Sequence, residues 1–195
     1  MRPTRIRVNS MKKILILVAV LLLGGIVFAQ EEGKSESKTV AFMQKDGTLL
    51  QRETHPLTNI KKFPANCEVL IIKDVVSGSK MGCMRIETSY YIGSGQSSNY
   101  IGTLDYDEID ACIQSLQYIM DNVLPNPPAV YTEYRYRTRD GLEIGVYWSN
   151  GKQWQAYVQP KHYSDRSMKT FETNILPDLI SVMQEAKVTI TNNTK

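Results

Sequence analysis

From residue 132 onward polar and apolar side chains alternate. Thr132, Tyr134, Tyr136 and Thr138 are interleaved with Glu133, Arg135, Arg137 and Arg139. A period of two is that of a strand with one covered face and one wet face. Leu142, Ile144, Val146 and Trp148 continue the pattern on a second strand, and Trp154, Ala156 and Val158 on a third. Register then decides the turns. A two-residue loop at Asp140-Gly141 sets Arg137 opposite Ile144 and mixes charge into the apolar face. A three-residue loop, Arg139-Asp140-Gly141, instead sets Tyr136 opposite Ile144, Tyr134 opposite Val146 and Arg137 opposite Glu143. Loops of that length end in a left-handed residue, which Gly141 supplies. The same reasoning at Ser149-Asn150-Gly151 places Trp154 opposite Val146 and Ala156 opposite Ile144.

The period then changes. Ile175, Leu179, Val182, Met183 and Ala186 recur at intervals of three and four, which predicts a helix. Pro177 is tolerated only in a first turn, so the helix starts near Leu176, after an irregular lead-in over 164–174. The first half repeats the order less tidily. Residues 67–76 and 81–91 read as strands around a Ser77-Gly78-Ser79 turn, 93–98 as a loop, and 99–104 as a short third strand. A helix follows over 106–123, opened by Asp105 with Glu108 in a capping-box pattern. Its stripe is Ile109, Cys112, Ile113, Leu116, Met120 and Val123, and Pro125, Pro127 and Pro128 end it. Ile109, Ile113, Leu116 and Met120 superpose on Ile175, Leu179, Val182 and Ala186 at a shift of 66 residues.

These patterns predict an α+β fold: an antiparallel sheet built from two diverged strand-strand-strand-helix units, 67–124 and 131–187, with both helices on one face. An N-terminal hairpin, 40–44 with 48–52, is expected around Lys45-Asp46-Gly47. Trp148 and Trp154 belong to the core. The wet face carries Arg135, Arg137, Glu143, Tyr147, Gln155 and Tyr157.

Ahead of the domain, residues 11–30 read MKKILILVAVLLLGGIVFAQ. The uncharged run of 16 residues is short of the roughly 20 needed to span a bilayer as a helix. Val27 and Ala29 stand where a signal peptidase requires small residues. Residues 1–29 are therefore read as a signal peptide with its natural start at Met11, and Gln30 as the mature N-terminus. Residues 30–38 lack apolar side chains and read as a flexible leader, which leaves 39–195 as one α+β domain. The expected location is periplasmic or secreted, with membrane attachment only through an uncleaved signal segment. Export also changes the charge. The whole chain carries +3, but the first 29 residues hold five basic residues and no acid, so the mature chain keeps 18 basic against 20 acidic residues. That balance argues against nucleic acid as a partner, since phosphate tracking needs a basic excess.

Candidate chemistry is sparse. Cys67, Cys83 and Cys112 show no framework spacing, and Cys112 reads as a buried thiol on a helix face. Cys83, between Gly82 and Met84, is the thiol expected to be most exposed. His55 and His162 are the only histidines; each has a proline within two positions, so both are expected in loops, and neither has an acid or thiol at ligand spacing. No serine elbow, phosphate loop, dinucleotide fingerprint or calcium loop is present. No catalytic residue, metal site or cofactor is assigned. The binding candidates are Arg135, Arg137, Tyr147 and Tyr157: a basic row beside aromatics can grip an anionic ligand or a sugar, or be a solvated face balanced by Glu133 and Glu143. The expected function is a non-enzymatic exported module that binds a protein, peptide or glycan of the cell envelope through its open sheet face or hairpin loops. Two other classes stay open: a hydrolase-type enzyme with dispersed residues, and an envelope structural or assembly subunit.

Overall fold

The computed structural model describes residues 37–149 and 153–195; the expected signal peptide, most of the expected leader and residues 150–152 lie outside the described residues. The first described element is α1 (Lys38–Met43), where a hairpin strand was expected. A helix of six residues is far below the roughly 12–15 at which helices hold by themselves, so tertiary contacts decide its conformation. Ser37 caps it through its hydroxyl, which accepts from the Val40 N–H at 3.2 Å and donates to Asp105 at 2.9 Å. The Lys38 and Thr39 N–H groups also donate to the Asp105 carboxylate, at 2.7 and 3.2 Å. Phe42 then packs on Leu70, Ile72 and Cys83.

Freed from the expected hairpin, β1 (Leu50–Pro56) pairs with β2 (Asn66–Asp74), with Leu50 opposite Asp74 and Pro56 opposite Glu68. The proline is harmless there, since β1 is an edge strand. β3 (Lys80–Gly93) and β4 (Gln96–Asp105) form a long hairpin turning at Ser94-Gly95. The stretch 93–98 is therefore mostly strand; its small polar residues look like a loop, but they face Tyr90 and Tyr91 across a continuing ladder. Together these strands make sheet 1, in the order β1-β2-β3-β4.

The first long helix begins as expected. Glu108 reaches back to accept from the Asp105 N–H at 3.2 Å, ahead of α2 (Ile109–Tyr118). A π turn over Ile119–Val123 follows, with the Leu124 N–H bonded to the Ile119 carbonyl at 3.0 Å. The wider turn rotates the apolar stripe: Ile119 is buried and Met120 only partly so.

Sheet 2 contains β5 (Thr132–Arg137), β6 (Glu143–Trp148), β7 (Trp154–Gln159) and a short β8 (Lys169–Phe171) in sequential order. The first hairpin has the predicted register: Tyr136 pairs with Ile144, Tyr134 with Val146 and Arg137 with Glu143. Gly141 has φ +84°, and the Thr138 N–H closes the three-residue loop on the Leu142 carbonyl at 2.9 Å. The second hairpin differs. Trp154 lies opposite Trp148 and Ala156 opposite Val146, two positions from the expected register. A two-residue slip keeps every side chain on its face, so the alternation cannot detect it. It carries Trp148 and Trp154 to the rim of the core, where their rings meet at 5.4 Å. β8 arises within the expected lead-in, where Phe171 closes on Phe63 at 5.0 Å. α3 (Leu176–Thr194) starts where Pro177 requires, and all five predicted stripe residues are buried on or just before it.

Each half thus runs four antiparallel strands and then a helix, and one core joins them. Val69, Ile71, Met84, Ile86 and Leu104 of sheet 1 meet Ile144, Val146, Ala156 and Val158 of sheet 2 under α2 and α3. The halves form two sheets and not one shared ladder. At the β4 edge the Thr103 N–H donates to the Asp140 carboxylate at 3.0 Å, where a further strand would otherwise dock. Among the described residues no helix is long and apolar enough to cross a membrane.

Candidate functional site

The outer face of sheet 2 gathers all four residues singled out in the sequence. Pairing places Arg135, Gly145 and Tyr157 in one cross-strand row, Arg137, Glu143 and Gln159 in the next, and Glu133, Tyr147 and Gln155 in a third. The centre is a glycine. A Cβ at Gly145 would lie 2.2 Å from the Tyr134 carbonyl oxygen. The backbone of β5 fills that position, and Tyr157, paired with Gly145 on the other side, is 1% exposed on a face expected to be wet.

Charge on this face is matched within it. Nε and Nη2 of Arg137 both lie 2.5 Å from Oε1 of Glu143, and Nη1 of Arg135 is 3.7 Å from its Oε2. Arg135 is also 3.8 Å from Glu133, whose other role is to accept the Tyr157 hydroxyl at 2.5 Å. Burial, followed by that bond to Glu133, pushes the Tyr157 phenol well above its ordinary range, so it stays a donor. Glu143 is buried, with 4% of its side chain exposed, while the arginines remain nearly half exposed. The face is therefore a neutralised network and not a bare cationic strip. Beside it runs a line of tyrosines: Tyr131 to Tyr147 at 6.4 Å and Tyr147 to Tyr157 at 6.2 Å. Tyr131, which sequence reasoning passed over, is 58% exposed and ends that line. Tyr90 and Tyr91 lie elsewhere, near the tip of the β3–β4 hairpin, with Arg166 and Lys169 each 5.6 Å from the Tyr90 ring.

Arg139 leaves the basic row. As the first residue of the loop it turns back to the β4–α2 junction, 3.0 Å from Asp105 and 3.6 Å from Glu108, and bound to both oxygens of Asp107. Arg139, then Lys38, holds the Asp107 carboxyl well below the usual carboxylate range. Its backbone N–H is taken by Glu108 at 2.9 Å. The alternation extends one residue too far because it cannot mark where a strand becomes a loop.

The remaining candidates disperse. His55 stands on β1, half-buried, and not in a loop, while His162 is exposed in the β7–β8 connection against Tyr163. Cys83 is fully buried, contrary to the expectation of exposure, and Cys112 is buried as its helix position implied. All three thiols are free, and burial pushes each up to about 12, far from a thiolate at neutral pH. Among the described residues no three His, Cys, Asp or Glu side chains come together as a metal site. No protein-family model, curated protein sequence or solved structure matches this chain.

Proposed function

We propose that the protein is an exported, non-enzymatic binding module that takes a glycan of the cell envelope on the outer face of sheet 2. The observation that carries this reading is the Tyr131–Tyr147 pair, backed by the buried Tyr157, beside the locked Glu133, Arg135, Arg137 and Glu143 network. Aromatic faces suit the apolar faces of sugar rings, and fixed charged groups meet ring hydroxyls without reordering. Size favours sugars over a protein. Three six-residue strands present about 300 Å², taking a spacing of about 4.8 Å and a rise of about 3.4 Å. A stable protein partner covers about 800 Å² on each side. The three thiols, held protonated by burial, support a role without a cysteine nucleophile.

The test is calorimetric titration of the purified protein with solubilised envelope polysaccharide. Saturable binding is expected, weakened about tenfold (~1.4 kcal/mol) in Tyr147→Ala. Binding of wild-type strength in that variant, or a protein as the only partner recovered, would sink the glycan reading.

A further inference from the structure

The outer face of sheet 1 holds a second, separate cleft of about 240 Å³. Register places its floor. Leu70, Cys83, Arg85 and Thr103 share that face, because Leu70 pairs with Cys83 and Arg85 with Thr103. Thr39, Val40 and Met43 of α1 form one wall, Asp140 of the β5–β6 loop lines the opposite side, and Arg52 stands at the exposed rim. Most of the lining is apolar, with a few polar groups among it, which is the make-up of a small-molecule site.

Two of those polar groups are unfinished. The Thr103 hydroxyl is buried without a hydrogen-bond partner, in a residue only 7% exposed. Native interiors rarely leave such a group unsatisfied. Arg85 is nearly buried, with 11% of its side chain exposed, and spends one donor on Glu68 at 2.5 Å. A guanidinium has five. Charge points the same way. Glu68 balances Arg85, and Asp140 faces Lys161 at 3.3 Å, while Arg52 has no ion-pair partner among the described residues. One positive charge is left over.

We propose that this cleft binds a small monocarboxylate, its head drawn to Arg85, the Thr103 hydroxyl and the charge of Arg52, its apolar tail lying among Val40, Met43, Leu70 and Ile101. One negative charge matches the surplus. The volume lies below the roughly 300 Å³ at which drug-sized pockets begin, which selects a short aliphatic or single-ring acid.

The experiment titrates the purified protein with hexanoate and with hexan-1-ol, an uncharged chain of the same length, up to about 10 mM, and follows both binding and melting temperature. Hexanoate is expected to saturate and the alcohol to bind at least about tenfold more weakly. Arg52→Ala should weaken hexanoate about tenfold and leave the alcohol unchanged. Thr103→Val separates a site from a packing defect: it should raise the melting temperature of the free protein and still weaken hexanoate. Equal binding of acid and alcohol, no saturation by hexanoate, or unchanged hexanoate affinity in a stabilised Thr103→Val would each overturn the proposal.

Discussion

Replacing Arg137 with alanine separates the two things its position suggests. Exposed strand positions usually shift stability by no more than about 0.5 kcal/mol, which is what the sequence alone assigns to Arg135 and Arg137. The structure raises that figure through the partner. Arg137 places two nitrogens 2.5 Å from one oxygen of Glu143, whose side chain is 4% exposed against 45% for Arg137. Pairs exposed at both ends contribute about 0.2–1 kcal/mol. Breaking a fully buried pair costs about 3–5 kcal/mol, because a charge is left without a counterion. With one buried and one half-exposed partner, and with Arg135 still 3.7 Å from the other oxygen, the expected cost is about 2 kcal/mol. In urea, at a slope of about 2 kcal/mol/M, the midpoint falls by about 1 M. Adding Glu143→Gln removes the stranded charge and should recover more than half of that loss. A midpoint within about 0.3 M of wild type in Arg137→Ala, or a double variant less stable than the single one, would refute the reasoning.

Gly141→Ala should destabilise by about 1–2 kcal/mol from its left-handed backbone alone, and by more here, since its Cβ would lie 2.5 Å from Nδ1 of His162; chemical denaturation should show part of the loss restored by adding His162→Ala. Acid stability should follow Asp107. Its carboxyl is held below its ordinary 3.8 by Arg139, so the stability it contributes is complete above that value and is lost as pH falls toward the folded-state pKa. Melting temperatures recorded at falling pH should therefore drop less below pH 3.8 in Asp107→Asn than in wild type; parallel curves would count against the Arg139 contact.

Much of the candidate site is legible as strings of residues. Alternation alone puts Arg135, Arg137, Tyr147 and Tyr157 on one face and pairs Arg137 with Glu143, because apolar burial penalises every one-residue slip. It cannot show that Tyr157 and Glu143 are buried on that face, which depends on the side chains packed around them, Glu133 on the Tyr157 hydroxyl and Arg135 and Arg137 on Glu143. The burial of Cys83 and the cleft of sheet 1 are equally hidden, since Cys83, Arg85 and Thr103 meet α1 only after chain segments far apart in sequence have folded together.

Local signals are legible in the chain alone: the β5–β6 register, the Gly141 turn, the capping of α2 by Glu108, the start of α3 at Pro177 and its stripe, while the stripe of α2 holds only in part, since Ile119 is buried where Met120 was expected. Each rests on periodicity or on a residue with few allowed conformations. Tertiary structure decided what depends on distant partners. It made residues 38–43 a helix, by offering Asp105 to its N–H groups and Leu70 and Ile72 to Phe42. It set the second hairpin two residues away from the shortest turn, a slip that keeps every side chain on its face. It also closed sheet 1 with the Asp140 carboxylate in place of a strand, because a buried backbone donor must be satisfied by whatever acceptor the packed chain brings to it.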